Sequence, residues 1–456
     1  MSARQEQEIA ARAVELARRA GASDAEATVI AGRELAVTVR EGEIDYLREA
    51  GSRGLTLRVF DGQRAAVVSS ADLSSDGLAH LTEQAVALAR LAAPDPAAGL
   101  PEGPFAGGDA DALELYDPEL AALDTPALTA LAREADAAAL GHDRRIGTTD
   151  GATLKRWLGT TALANSRGFA GSYRESRCAL LASALALGEG HERREDHWQA
   201  SGRHLAQLGE AEAVGREAAR RAVGQLGARK PATQEVPVVF APEMARELIR
   251  LLARAASGEA QYRGFSFLIG RQGQPLASPL VTLVDDATLP GRLGSRPFDA
   301  EGVASQRTPL LSAGRFTGFL YDSYSARRAG HAGKSSGNAG RAETPAGIRL
   351  GVAPSNLVLV AGETAPEAIV AGVARGLYLT GTSGSGDNLT TGDFTRGASG
   401  RWIENGELAY PVAEINIAGR LPEMLAAIDA VGSDLAVEGQ SAAPTVRVAR
   451  MMVSGM

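Results

Sequence analysis

Lysine is almost missing from this chain. Of 47 basic residues only Lys155, Lys230 and Lys334 are lysines, a skew towards arginine that reflects genome composition more than function. Cysteine occurs once, as Cys178, which excludes a disulfide framework and any zinc or iron–sulfur site built from several thiolates. Aromatic residues make up 5% of the chain, so the core has to be assembled from Ala, Val and Leu. Basic charge is outweighed by acidic charge, 47 residues against 55, for a net charge of −8. No basic field is present to offset phosphate repulsion, which argues against a general nucleic-acid or anionic-membrane binder. The start, "MSARQEQEIAARAVELARRA", has no apolar h-region, and no run reaches the roughly 18 apolar residues of a membrane span. The expected location is the cytoplasm.

What the chain does have is material for two or three globular domains: 456 residues, 45% hydrophobic and 22% charged, with 53 glycines for turns. Ser2 with Gln5 makes a capping-box start for a helix to about residue 20. The stretch "ELAVTVREGEIDYLREAGSRGLTLRVFDGQRAAVVSS" reads as a strand meander with turns at Glu41-Gly42 and Asp61-Gly62. A helix follows over about 75–93, and then a proline-rich connection to about Thr125. A helix to about Leu140, alternating segments over 145–202 and a helix over about 204–224 come next. Helix, strands, helix thus occurs twice, which suggests a pseudo-duplication. "ARKPATQEVP" (228–237) reads as a linker. Beyond it lie the strand "VPVVFA", a helix over 242–257 opened by Pro242 and closed by Gly258, and a strand-rich remainder. Its clearest hairpin is "RWIENGELAY", turning at Asn405-Gly406. The predicted fold class is α+β, with a mixed helix and strand domain over 1–227 and a β-rich domain over 236–456.

Several stretches imitate catalytic motifs. "HERREDH" places His191 and His197 six residues apart, which on a helix rotates the second imidazole away from the first; a charged hairpin tip suits its surroundings better than a zinc site. "GKSSG" (333–337) matches GxSxG, but no histidine follows His331, as the α/β-hydrolase order requires. "GHAGKSSG" lacks the first glycine of a phosphate loop, because that position is Arg328. "GTSGSGDN" (381–388) leads into no helix, so the dinucleotide-site context is absent. The 242–257 helix pairs a stripe of Met244, Leu248, Leu251, Leu252 and Ala255 with Arg246, Glu247, Arg250 and Arg254 on the other side. It contains no histidine.

Three blocks resemble a known family. "LVDDATLPGRLGSRPFDAEGVASQRTPLLSAGRFTGFLYDSYSARRAG", "SSGNAGR" and "TGDFTRGASGRWIENGELAYPVAEINIAGRLPEML" with "VGSD" are similar to the TldD/TldE family, also called PmbA. They cover most of residues 236–456, and the N-terminal half fits more loosely. In the TldD branch of that family the helix after the first C-terminal strand carries HExxxH, and a cysteine near the C-terminus completes a zinc site. Here Ile249 to Arg254 stand where that motif would lie, and "AVEGQSAAPTVRVARMMVSGM" has no cysteine. The resemblance therefore implies the TldE/PmbA branch: a non-catalytic subunit without its own metal or cofactor, paired with a zinc-bearing TldD-type metalloprotease. The pair would cleave unfolded or leader peptides in a closed chamber. No catalytic residue carries over. Ser383, Gly384, Asn388, Thr391, Asp393 and Arg396 are candidates for a lining or interface loop, against the reading of a turn that satisfies its own backbone. Two alternatives stay open: a stand-alone homodimeric peptide-binding protein, and an independent zinc hydrolase using scattered histidines. An older gyrase-modulator label attached to the family finds no DNA-binding surface in this acidic chain.

Overall fold

A computed structural model describes residues 3–455, apart from 104, 106, 107, 332, 345 and 346. The first half runs α1 (Ala3–Arg19), β1 (Asp24–Arg40), β2 (Glu43–Asp61), β3 (Arg64–Ser70), α2 (Ser75–Leu91), α3 (Pro118–Ala122), α4 (Thr125–Leu140), β4 (Ile146–Thr148), β5 (Ala152–Asn165), β6 (Ala170–Leu187), β7 (Arg193–Gly202) and α5 (Ala211–Gly224). Its seven strands make one sheet, ordered β3-β2-β1-β5-β6-β4, with β7 added on β6. The two helix–strand–helix units meet where β1 pairs antiparallel with β5 over Glu26↔Asn165 to Val39↔Ala152. Odd-numbered β1 residues face the helices. Ala25, Ala27 and Val29 pack on α1 and α2, and Leu35, Val37 and Val39 on α4 and α5. Small side chains let these layers approach closely. Gly215 of α5 sits so near α4 that a Cβ there would lie 1.9 Å from the Ala135 carbonyl oxygen.

The second half runs β8 (Gln234–Phe240), α6 (Pro242–Ala255), α7 (Gly258–Tyr262), β9 (Leu283–Asp286), β10 (Arg307–Ser312), β11 (Arg315–Phe316), α8 (Ser323–Arg328), β12 (Ala339–Thr344), β13 (Gly347–Val352), β14 (Leu357–Leu359), α9 (Pro366–Ala371), β15 (Arg375–Ser383), β16 (Asp393–Glu404), β17 (Glu407–Arg420), α10 (Leu421–Ala426), β18 (Ile428–Val431), β19 (Ala436–Glu438), β20 (Ser441–Ala443) and β21 (Val446–Ser454). One sheet is ordered β17-β16-β15-β8-β21-β18, and a β17–β21 pairing closes five of these strands into a ring. A second is ordered β11-β10-β9-β14-β20-β19. A single apolar core joins both sheets to α6. The fold is α+β.

Most expected elements stand within a few residues of their predicted bounds, with five corrections. The 242–257 helix ends at Ala255, and Gly258, expected to close it, opens α7 behind the Ser257 cap. The 204–224 helix is two pieces, because Gly209 at φ +65° interrupts it after the single turn Leu205–Leu208. The linker ends early: Gln234 to Pro237 already belong to β8, which is hydrogen-bonded between β15 and β21. Arg246, expected on the solvent side of α6, is buried against Glu438, while Met244 of the expected stripe is only partly buried. Core covers α6 on more than one side, so an arginine there must find an acid partner. Only His191 sits at the β6–β7 turn; His197 lies within β7, opposite Ser183.

Candidate functional site

The other face of the N-terminal sheet, even-numbered in β1 and β2 and odd-numbered in β5, β6 and β7, is free of α1, α2, α4 and α5. Its lower part is sealed by the C-terminal half through buried ion pairs. Arg58 of β2 bridges Glu26 (3.2 Å) and Glu301 (3.1 Å), and Arg203 donates to Glu175 (2.9 Å) and to the carbonyls of Arg292, Leu293 and Ser295. Burial alone would lower the Arg58 pKa; the two carboxylates outweigh it and hold the guanidinium above its usual value.

The upper part is open. Three cavities of about 810, 410 and 500 Å³ adjoin along it. Gln199 lines the first and second, and Glu34, Trp157 and Arg177 line the second and third, so together they form one cleft between the halves.

The outer cavity is bordered by Glu195, His197 and Gln199 of β7, and by Glu243, Met244, Glu247 and Arg250 of α6. β7 is the sheet's edge, paired on one side only, with β6. Arg221 of α5 joins the two walls: it lies 2.6 Å from Glu243, donates to the Thr380 carbonyl (3.0 Å) and stacks over Trp198. Thr382 donates to Glu247 at 2.7 Å.

The inner cavity has an aromatic floor. Gly32 and Gly159 are cross-strand partners, and the Trp157 indole lies over both; a Cβ at either would meet it at 2.7 or 2.2 Å. Arg177 sits above that ring and pairs with Glu175 at 2.9 Å. Burial acts to raise the Glu175 pKa, but Arg177 and Arg203 overcome it and hold the carboxylate below its usual range. Across the cavity stand Arg296, Phe298, Asp299 and Arg341. Burial, and then the charge of Glu301, push the Asp299 carboxyl above its usual range.

The six sequence candidates come together, but elsewhere. They form the loop from Ser383, the end of β15, into β16, and none lines the cleft. Arg396 reaches the Gly384 carbonyl and Asp387 (2.8 Å), Asn388 accepts from the backbone N–H of Thr390 (2.9 Å), and Thr391 donates to Asp393 (2.5 Å). These contacts lie within the loop, while Asp387 Oδ1 and Arg396 Nε are buried without a hydrogen-bond partner among the described residues and Arg420 donates to the Thr391 carbonyl (3.2 Å). Thr382, one residue earlier, does line the cleft. The "GKSSG" serines are likewise structural: Ser335 donates to the Tyr321 carbonyl (3.0 Å) and Ser336 to Asn338 (2.7 Å).

Models of three PmbA/TldA metallopeptidase domains match the chain: domain 1 over residues 25–89, the central domain over 118–226 and the C-terminal domain over 233–455. A "Metalloprotease PmbA homolog" of Haemophilus influenzae is 35% identical, covering 97% of this chain and 94% of its own. The chain belongs to the TldD/TldE (PmbA) family. "Metalloprotease PmbA" of Escherichia coli O157:H7 is 34% identical, over 98% and 96% of the two chains. Among solved structures, a Bacteroides thetaiotaomicron protein described as a DNA gyrase modulator superposes with a TM-score of 0.91 at 27% identity, covering 99% of each chain. TldE from Thermococcus kodakarensis superposes at 0.87 with 21% identity, over 98% and 100%, a likeness of fold alone.

A metallopeptidase family implies a metal, and the TldD-type donors would come from α6. Between Ile249 and Arg254 that helix offers isoleucine, leucine, alanine and arginine, none of them a zinc donor, and Ile249 is buried in the core. The nearest acids on it, Glu243 and Glu247, are engaged by Arg221 and Thr382. Among the described residues no three His, Cys, Asp or Glu side chains converge as a metal cage. This helix does not fit the zinc.

Proposed function

We propose that this chain is the metal-free, non-catalytic subunit of a TldD/TldE-type heteromeric metalloprotease acting on unfolded or leader peptides, and that its cleft is part of the substrate chamber. One observation carries the reading. The helix on which the TldD branch bears HExxxH borders the largest cavity of the cleft, and supplies it with Glu243, Met244, Glu247 and Arg250 instead of histidines. The same cavity exposes the edge strand β7, and a sheet edge can hold any extended peptide through main-chain hydrogen bonds with weak side-chain preference. Peptide hydrolysis also needs a group that activates water, and in this reading the partner's zinc supplies it. This subunit contributes wall and strand edge.

The test is reconstitution. The chain alone should leave an unfolded peptide intact, mixing with a TldD-type partner should switch cleavage on, and replacing the glutamate of the partner's HExxxH should switch it off. Chelator-sensitive cleavage by the isolated chain, free of contaminating proteases, would overturn the assignment.

A further inference from the structure

The inner cavity differs in chemistry from the rest of the cleft. It holds two arginines with unspent donors. Arg296 makes no ion pair among the described residues; its one terminal contact is to the Gly337 carbonyl at 3.3 Å, and its Nε is buried without an acceptor. Arg341 donates to the Ala300 carbonyl (2.7 Å) and to Thr28, its nearest carboxylate is Glu26 at 3.9 Å, and its Nε also lacks an acceptor. The acids that line the cavity are otherwise engaged or peripheral. Glu175 is held by Arg177 and Arg203. Asp299 accepts backbone N–H groups from Glu301, Val303 and Ala339. Glu34 is exposed, at the junction with the next cavity. Facing the arginines are Ile30 and Trp157, with Phe298 on their own side, and about 500 Å³ is within the range of sites that hold small organic groups.

We infer that this cavity is a carboxylate subsite, in which Arg296 and Arg341 receive the C-terminal carboxylate of an extended peptide while its last, apolar side chain packs on Trp157 and Phe298. A guanidinium presents paired donors that match the two oxygens of a carboxylate, and an amide offers one neutral oxygen in their place. The inference rests on the chamber reading: a chain held along β7 can continue past Gln199, which borders the first and second cavities, towards Trp157, which borders the second and third. A peptide would then be anchored by its end, with no demand on its internal sequence.

The experiment uses the full chain and an N-terminally fluorescein-labelled, unstructured decapeptide ending in phenylalanine, as the free acid and as the amide. Fluorescence anisotropy should show the acid bound about tenfold more tightly than the amide. Arg296→Met should bring the acid down to the level of the amide. Ile30→Trp, which fills the cavity from an exposed strand position and leaves every ion pair in place, should weaken the acid more than the amide and shrink the difference between them. Equal binding of acid and amide by the wild type would overturn the inference and leave the chamber reading standing. Binding of neither would overturn both. N-acetyl-phenylalanine binding as tightly as the decapeptide would assign the carboxylate pocket to a small acid and overturn the peptide end as its occupant.

Discussion

Arg221, on the last helix of the N-terminal half, holds Glu243, on the first turn of α6, at 2.6 Å, and so ties the two walls of the cleft across its largest cavity. Both side chains are about 15% exposed, with Asp196 (3.6 Å) and Glu217 (4.0 Å) completing the network. Burial acts to lower the Arg221 pKa, and the bond to Glu243 with the surrounding acids more than reverses it.

Arg221→Met leaves Glu243 partly buried without its partner and should cost about 2 kcal/mol, less than the loss from breaking a fully buried pair. Glu243→Gln should cost about 1–2 kcal/mol. The double variant should fall short of the sum by about 1 kcal/mol, because the two groups serve one interaction. Urea unfolding of all four proteins measures this. Additive losses would show that the pair does not couple the halves.

Gly159→Ala drives a methyl into the indole of Trp157 and should destabilise the protein by roughly 1–3 kcal/mol, the usual range for overpacking. In a Trp157→Ala background the same change should cost under about 1 kcal/mol, since the three atoms nearest the added methyl all belong to that ring. Thermal or denaturant unfolding of the cycle checks it; an equal cost in both backgrounds would mean that backbone strain, and not the ring, sets the penalty.

His191→Ala with His197→Ala should change stability by no more than about 0.5 kcal/mol each and leave peptidase activity of the reconstituted complex nearly intact. Both side chains are exposed, although His197 borders the cleft. A folded double variant without activity would make His197 a contributor to substrate binding.

Cys178 is buried, with its thiol near the carbonyls of Gly202 and His204. Burial, and then the charge of Asp117, push its pKa up to about 12. The native protein should therefore resist a thiol-titrating reagent at neutral pH and show one thiol after denaturation. The folded thiol keeps its proton where the unfolded one loses it, so its contribution to stability is complete below about pH 8.5 and is lost as pH climbs from there towards 12. Cys178→Ala should shallow the alkaline decline in stability over that window; an unchanged slope would place the titration in other groups.

The local structure was legible because it is written locally. Asn405-Gly406 turns as read, with φ of 52° and 81°, since the type I′ turn needs positive φ at both positions. Pro126 stands in the first turn of α4, which ends at Leu140 as read, and the structure adds Asp124 as its cap. The family blocks in the second half were also visible as sequence, and the matching domain models confirm that family.

The cleft was not legible. Trp157, Arg177, Arg296 and Arg341 are far apart in the chain, and a one-dimensional pattern does not say which strand face will be left without a helix. A trace existed in Gly32 and Gly159, glycines in the interior of strands, where a close approach of another group is the usual reason. Reading it required knowing that β1 pairs with β5 in a register that puts the two opposite each other. The sequence by itself determined most elements of the first half, the hairpin turns and the family, because propensity, periodicity and turn chemistry act over a few residues. Only the tertiary structure decided that Arg246 is buried, that β7 is an edge and that the open face of the sheet meets α6. Burial and juxtaposition are properties of how elements pack, and long-range pairing sets them.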